Sequence, residues 1–224
     1  MAAGRFGPAS LEVKSWFYFA TAVATVVPFL MFFQHMQNKI VAEAVKEGYT
    51  GNPADLTIFD IRFGYTPNEV ASTLEAWGDD GRYNYMIIET VDVFIYHSGY
   101  RAASLVLLNH LLSAMVARYP KAAPLRPCAQ LPIGLAILDF FEDLLQITFT
   151  FFFDVFGHVQ SPDTPAWYRV VYAASAINQV KWWTVRTGAA LAALCVVLLA
   201  VDFVRELVVG KGGKRGVSDA KKED

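Results

Sequence analysis

Five side chains within two apolar stretches could do chemistry: His97 and Arg101 in one, Asp139, Glu142 and Asp143 in the other. Carboxylates beside a histidine and a guanidinium are the equipment of an intramembrane hydrolase, or of a proton or ion path. Two acids at i, i+3 with histidine nearby also invite a metal, as in bundle di-iron proteins that pair inward Glu with Glu-x-x-His. No Glu-x-x-His occurs here. His97 is off the acid stripe, five residues from Asp92, while His35 closes the first apolar run and His110 lies far along the second. The spacing therefore predicts no metal and no cofactor. The absence of GxGxxG and GxxxxGK[ST] removes the common nucleotide sites.

The elements that must position these groups are long apolar helices. One is predicted over 85–116 and carries Glu89, Asp92, Tyr96 and Tyr100 on one stripe, with His97 and Arg101 beside it. Another is predicted over 128–156, with Asp139, Glu142, Asp143 and Gln146 at i, i+3, i+4, i+7 and so on one face. A short loop makes the two antiparallel neighbours. Matched depths place Arg101 opposite the Asp139–Glu142 turn and His97 opposite Asp143 and Gln146. An unpaired charge at mid-bilayer costs roughly 2.5–3.5 kcal/mol on insertion scales, so an Arg101–carboxylate bond would relieve a real penalty. The structural reading is a polar seam of Glu89, Asp92, Tyr96, Tyr100, Arg101, Asp139, Glu142 and Gln146 that holds helices together. Ser98-Gly99 and Ala102-Ala103 would let a neighbouring helix come close.

The chain has 224 residues, 54% of them hydrophobic, and a net charge of −2. That composition predicts an all-α integral membrane four-helix bundle over 1–209 and gives no hint of nucleic acid. Spans are expected near 16–36, 85–116, 128–156 and 182–207, the first kinked by Pro28. The glycine- and charge-rich tail, 210–224, is expected to be disordered. Cys128 and Cys195 show no metal or redox spacing and read as packing residues. In the first loop, Thr66-Pro67-Asn68-Glu69 predicts a capping box with proline at N1, opening a helix over 67–77 that stops at Gly78. Trp77 on its apolar face suits headgroup depth, the alternative being a helix packed on its own loop. Lys181, Trp182, Trp183 and Arg186 read as an interfacial belt facing lipid. Basic residues in the N-terminal segment, the 118–127 connection and the tail place both termini on the cytoplasmic or matrix side.

Several of these residues form a pattern. Tyr65-Thr66-Pro67-x-Glu69, Gly81-Arg82-x-x-Tyr85, Asp92 and Tyr96, Asp139-x-x-Glu142-Asp143, and Lys181-Trp182 together resemble a family of small four-span membrane proteins of unassigned function. The resemblance covers 59–199. It implies the four-span topology and singles out the seam, and it carries no reaction. The family's third-span motif usually ends in Asn, where this chain has Asp143.

The functional expectation is an accessory subunit of a larger membrane assembly, with a respiratory complex of the mitochondrial inner membrane as the favoured setting. A bacterial plasma membrane fits the same charge pattern. Its partners would be membrane lipids and other membrane subunits, and no nucleic acid. The alternative is a membrane enzyme or a proton or ion transporter using His97, Arg101, Asp139, Glu142 and Asp143. A structural seam should be closed and paired. A working one should open to a surface.

Overall fold

The computed structural model describes residues 13–157 and 164–213, without the side chains of 95–98 and of some residues toward helix ends. The expected disordered tail falls largely outside the described residues. All regular structure among the described residues is helical. Five α-helices run in order: α1 (Val13–Lys46), α2 (Pro67–Val91), α3 (His97–Arg118), α4 (Leu131–Phe151) and α5 (Thr164–Gly213). A π-helical turn, Asp92–Tyr96, joins α2 to α3, and a second, Phe153–Gly157, ends α4. Short 3-10 turns occupy Pro53–Leu56 and Phe59–Ile61, and the proline-rich Pro120–Gln130 links α3 to α4. α1 packs on α2 and α3, α4 packs on α5, and α2–α4 and α3–α5 contacts close the bundle.

Local sequence explains the helix limits. The Thr66 amide donates to Glu69 Oε2 at 2.7 Å and Thr66 Oγ1 accepts from the Glu69 amide at 3.3 Å, a capping box with Pro67 behind it. Gly78, at φ +62 and ψ −175, breaks α2 into two pieces in a conformation open essentially to glycine. The Leu74 carbonyl freed by that break accepts from Arg82 Nη1 at 3.0 Å. Arg82 also pairs with Asp79 and, at 2.7 Å, with Asp154, clamping the break to the end of α4.

The piece before Gly78 turns its apolar face into the fold. Val70, Leu74 and Trp77 are wholly buried, and Trp77 Nε1 donates to the Leu56 carbonyl at 3.2 Å. Trp77 is thus a core residue packed on its own loop, and its expected headgroup position is corrected. The indole finds its polar partner inside the fold, where an unpaired N–H would be costly.

Two apolar cores are stacked with a polar layer between them. One gathers Ile40, Leu56, Phe59, Leu74, Trp77, Tyr85, Phe149 and Trp167. The other gathers Leu108, Leu112, Met115, Ala129 and Cys195. Along α2–α3, α4 and α5 alike, the chain passes from one core to the other through buried polar residues: Glu89 and Asp92, then Asp139 to Gln146, then Ser175 to Lys181.

Among the described residues, two helices hold stretches long and apolar enough to cross a membrane, Gly99–Arg118 and Pro165–Val208. The expected span at 182–207 is the second part of α5, a helix of 50 residues. At the far end, Arg118 Nε bonds Asp202 at 2.8 Å and the Tyr119 hydroxyl donates to the same carboxylate at 2.6 Å, fastening α3 to α5.

Candidate functional site

The polar layer is built on a segment that has no long helix of its own. Residues 53–65 fold into the bundle so that Phe59 is fully buried, its ring 5.1–5.5 Å from those of Tyr65, Trp77, Tyr85 and Phe149. Irregular backbone can be buried only if its polar groups find partners, and side chains from α1 and α5 supply them. From α1, Gln37 accepts from the Ile58 amide at 2.9 Å and donates to the Leu56 carbonyl at 3.1 Å. From α5, Ser175 Oγ and Asn178 Oδ1 accept from the Tyr65 and Gly64 amides, each at 2.9 Å. Trp182 Nε1 and Asn178 Nδ2 donate to the Asp60 carbonyl at 3.1 and 3.3 Å. The aromatic cage fixes the plug, and the plug delivers one carboxylate, Asp60, to the layer.

Lys181 is the centre of that layer. Its ammonium, 5% exposed, contacts Asp60, Asp139 Oδ1 at 2.9 Å and Glu142 Oε2 at 2.6 Å. The three carboxylates each bring an oxygen within 4.8 Å of the others, a cation-sized focus, and the tethered ammonium is the cation it holds. The other oxygen of Glu142 accepts from Asn178 Nδ2 at 2.7 Å and Gln146 Nε2 at 2.5 Å. Gln146 is spent in turn, donating also to the Tyr65 hydroxyl at 3.3 Å and accepting from Tyr85. Tyr100 donates to Asp139 Oδ2. Burial first, and then the Glu142 carboxylate, push the Tyr65 hydroxyl well above its ordinary value, so it stays neutral. Glu142 is thus held from both oxygens, by Lys181 at one and by Asn178 and Gln146 at the other.

The opposite side of the layer is differently furnished. Glu89, Asp92 and Asp143 are 0–4% exposed and lie within electrostatic reach of one another and of the hub. Both Glu89 oxygens are buried and accept no hydrogen bond. The π-helical turn starts at Asp92, one turn after Glu89. An apolar cavity of about 240 Å³ between α3, α4 and α5, lined by Leu107, Pro132, Leu135, Thr184 and Gly188, touches none of these carboxylates.

The structure brings together Glu89, Asp92, Tyr100, Asp139, Glu142, Asp143 and Gln146 from the expected seam, and it corrects the cation. Arg101 does not meet the Asp139–Glu142 turn; it is half-buried and its Nε has no hydrogen-bond partner. The π turn inserts one residue more than an α turn and so shifts the phase of everything after it. Lys181 takes that place, not the expected interfacial one, because α5 begins seventeen residues earlier and carries Lys181 inside the fold. Trp182 is half-buried against Asp60, while Trp183 stays exposed with Phe63 and the Arg186 guanidinium stacked beside it. The side chains of Tyr96 and His97 lie outside the described residues, so the expected approach of His97 to Asp143 and Gln146 does too. Asp60 and Asn178 escaped the sequence reading, and Tyr65 and Tyr85 entered it only through the family motifs. The signal for the α5 residues was there: Ser175, Asn178, Lys181 and Trp182 recur at helical spacing on one face.

No family model, curated protein or solved structure matches the chain.

Proposed function

We propose that the chain is a four-span integral membrane protein whose lysine–carboxylate layer locks the fold, and that it serves as an accessory subunit of a larger membrane assembly. The observation that carries this reading is the closure of the hub. Lys181, Asp139, Glu142 and Gln146 are 0–6% exposed, and Glu142 is met by Lys181 at one oxygen and by Asn178 and Gln146 at the other. A substrate or a water wire would need to displace those partners. Four spans fit the rest of the molecule. α4 carries three acids and so resembles no ordinary span, but all three turn inward, leaving Ile137, Phe140, Phe141 and Leu144 outward. α1 likewise presents Val23, Val27, Leu30 and Met31 outward. The motifs behind the four-span resemblance are those of the cap, the Arg82 clamp and the hub.

The test is gentle solubilisation followed by native electrophoresis and mass spectrometry of what co-migrates, a respiratory-chain complex being the first assembly to look for. Fixed stoichiometry with other membrane subunits is the expected result. Migration alone or as a small homo-oligomer would remove the accessory role.

A second reading, a membrane enzyme or a proton or ion transporter, is favoured by one observation: the Glu89 carboxylate is buried with both oxygens unengaged. Flux through vesicles containing the purified chain, abolished in Glu89→Gln, would put that reading first.

A further inference from the structure

We propose that the apolar cavity between α3, α4 and α5 takes an acyl chain of an anionic phospholipid, whose phosphate is received by Arg101. The proposal rests on the membrane-spanning reading of the chain and is independent of the accessory role. Its first support is the space itself. The cavity measures about 240 Å³, with Leu108 and Pro132 buried at its floor and Leu107 and Ala189 exposed at its rim. It therefore opens sideways, between helices, onto the surface that would face lipid. At Gly188 on its wall an added Cβ would meet nothing within 4 Å, so no neighbouring side chain fills the space.

Size and lining select a chain over a compact ligand. Pockets that enclose a whole drug-sized molecule run to about 300–1,000 Å³, and this one is smaller. Its lining is nearly all carbon, and the Thr184 hydroxyl is spent on the Val180 carbonyl at 2.9 Å. Water does not fill an apolar cavity, and lining atoms without neighbours forfeit their dispersion contacts. A chain from the surrounding bilayer restores those contacts.

The second support is the charge above the cavity. Arg101, Ser104 and Leu108 stand at i, i+3, i+7 and share one face of α3. A helical side chain leans back toward its N-terminus, which carries the guanidinium away from the cavity toward the start of the apolar stretch Gly99–Arg118. Arg101 is half-buried, its Nε is enclosed without a hydrogen-bond partner, and among the described residues it forms no ion pair. By contrast Arg62, Arg82 and Arg118 are spent on carbonyls or carboxylates. A phosphate offers the planar guanidinium fork the anionic acceptor it lacks. Held at that boundary, it sends its acyl chains down the bundle past the cavity mouth.

The experiment starts with a carbonate wash of membranes holding the full chain, then uses the chain purified in detergent. Phosphatidylglycerol, phosphatidylcholine and oleate are added separately, with binding read by native mass spectrometry and stability by the thermal midpoint. The expected result is retention in the washed membrane, about one phosphatidylglycerol per chain, and a midpoint raised most by that lipid. Affinity should fall at least about tenfold in Arg101→Gln and recover in part in Arg101→Lys. Gly188→Leu, which fills the cavity, should lose the lipid. Equal binding of phosphatidylcholine, a preference for oleate, or undiminished phosphatidylglycerol binding in Arg101→Gln or Gly188→Leu overturns the proposal and leaves the membrane reading standing. Release by carbonate overturns both. Should Gly188→Leu fail to fold, the lipid preference of the wild type and its loss in Arg101→Gln decide alone.

Discussion

The two sides of the polar layer are made of the same residue types and treated in opposite ways. Around Lys181 every carboxylate is engaged: Glu142 by three side chains, Asp139 by Lys181 and Tyr100, Asp60 by Lys181. Glu89, buried to the same degree, has two oxygens that accept no hydrogen bond. The difference teaches that burial of acid in an apolar bundle is not one phenomenon. On the hub side it fixes the plug to α4 and α5. At Glu89 it leaves an acid that no hydrogen bond from the fold engages.

Removing the hub's cation should have the largest effect. Lys181→Met leaves three carboxylates facing one another without compensation, and breaking a buried pair from one side typically costs about 3–5 kcal/mol. That is a large share of an ordinary domain's stability, so the expected outcome is loss of folded, monodisperse protein by size exclusion in detergent. Near-normal yield would show that the hub is not what holds the plug.

The matched pair Glu142→Gln and Glu89→Gln sharpens the comparison. At Glu142 the change removes the charge that Lys181, Asn178 and Gln146 converge on, at a cost of about 1–3 kcal/mol for the groups left unsatisfied. At Glu89 it removes a buried acid that accepts no hydrogen bond and should leave the thermal midpoint unchanged or raised. Equal losses from both would erase the distinction between the two sides.

How much of this was legible depends on whether the signal is local. The acid face of α4 follows from helical spacing, and Asp139, Glu142, Asp143 and Gln146 are all buried as that spacing requires. The capping box and the Gly78 break are also set by neighbours within a few residues. The plug was not legible. Its place is decided by Gln37, Ser175 and Asn178, far away in sequence. Lys181 was assigned to the interface because Trp182-Trp183 beside it imitates a membrane boundary. Arg101 was misplaced because a uniform 100° per residue takes no account of the π turn at Asp92–Tyr96.

Away from the layer the expected effects are smaller. Gly78→Ala meets only the Glu47 side chain at 3.6 Å, so space is not the obstacle. The cost is conformational, on the order of 1–3 kcal/mol for a backbone region that side chains avoid. It should lower the thermal midpoint and loosen the Arg82 clamp. Pairing Gly78→Ala with Lys181→Met would test whether the break matters to the hub. Additive losses would separate them, and coupling would join them.

The smallest effect is a pH dependence at the plug's exit. Glu69's carboxyl is held below its ordinary value of 4.5, first by the hydrogen bond from the Thr66 amide and then by that from the Thr66 hydroxyl. A depressed carboxyl stabilises the fold above its unfolded value and loses that contribution as pH falls through the folded one. The first turn of α2 should therefore loosen below about pH 4.5, while the hub, closed to water, holds. Hydrogen exchange at Val70–Trp77, corrected for intrinsic rates, should show protection falling over that range in the wild type and already reduced in Thr66→Ala, whose lost cap is worth about 1 kcal/mol. If the hub amides on α5 lost protection over the same range, the cap and the polar layer would be one cooperative unit, and the plug would be held from its end as much as from its centre.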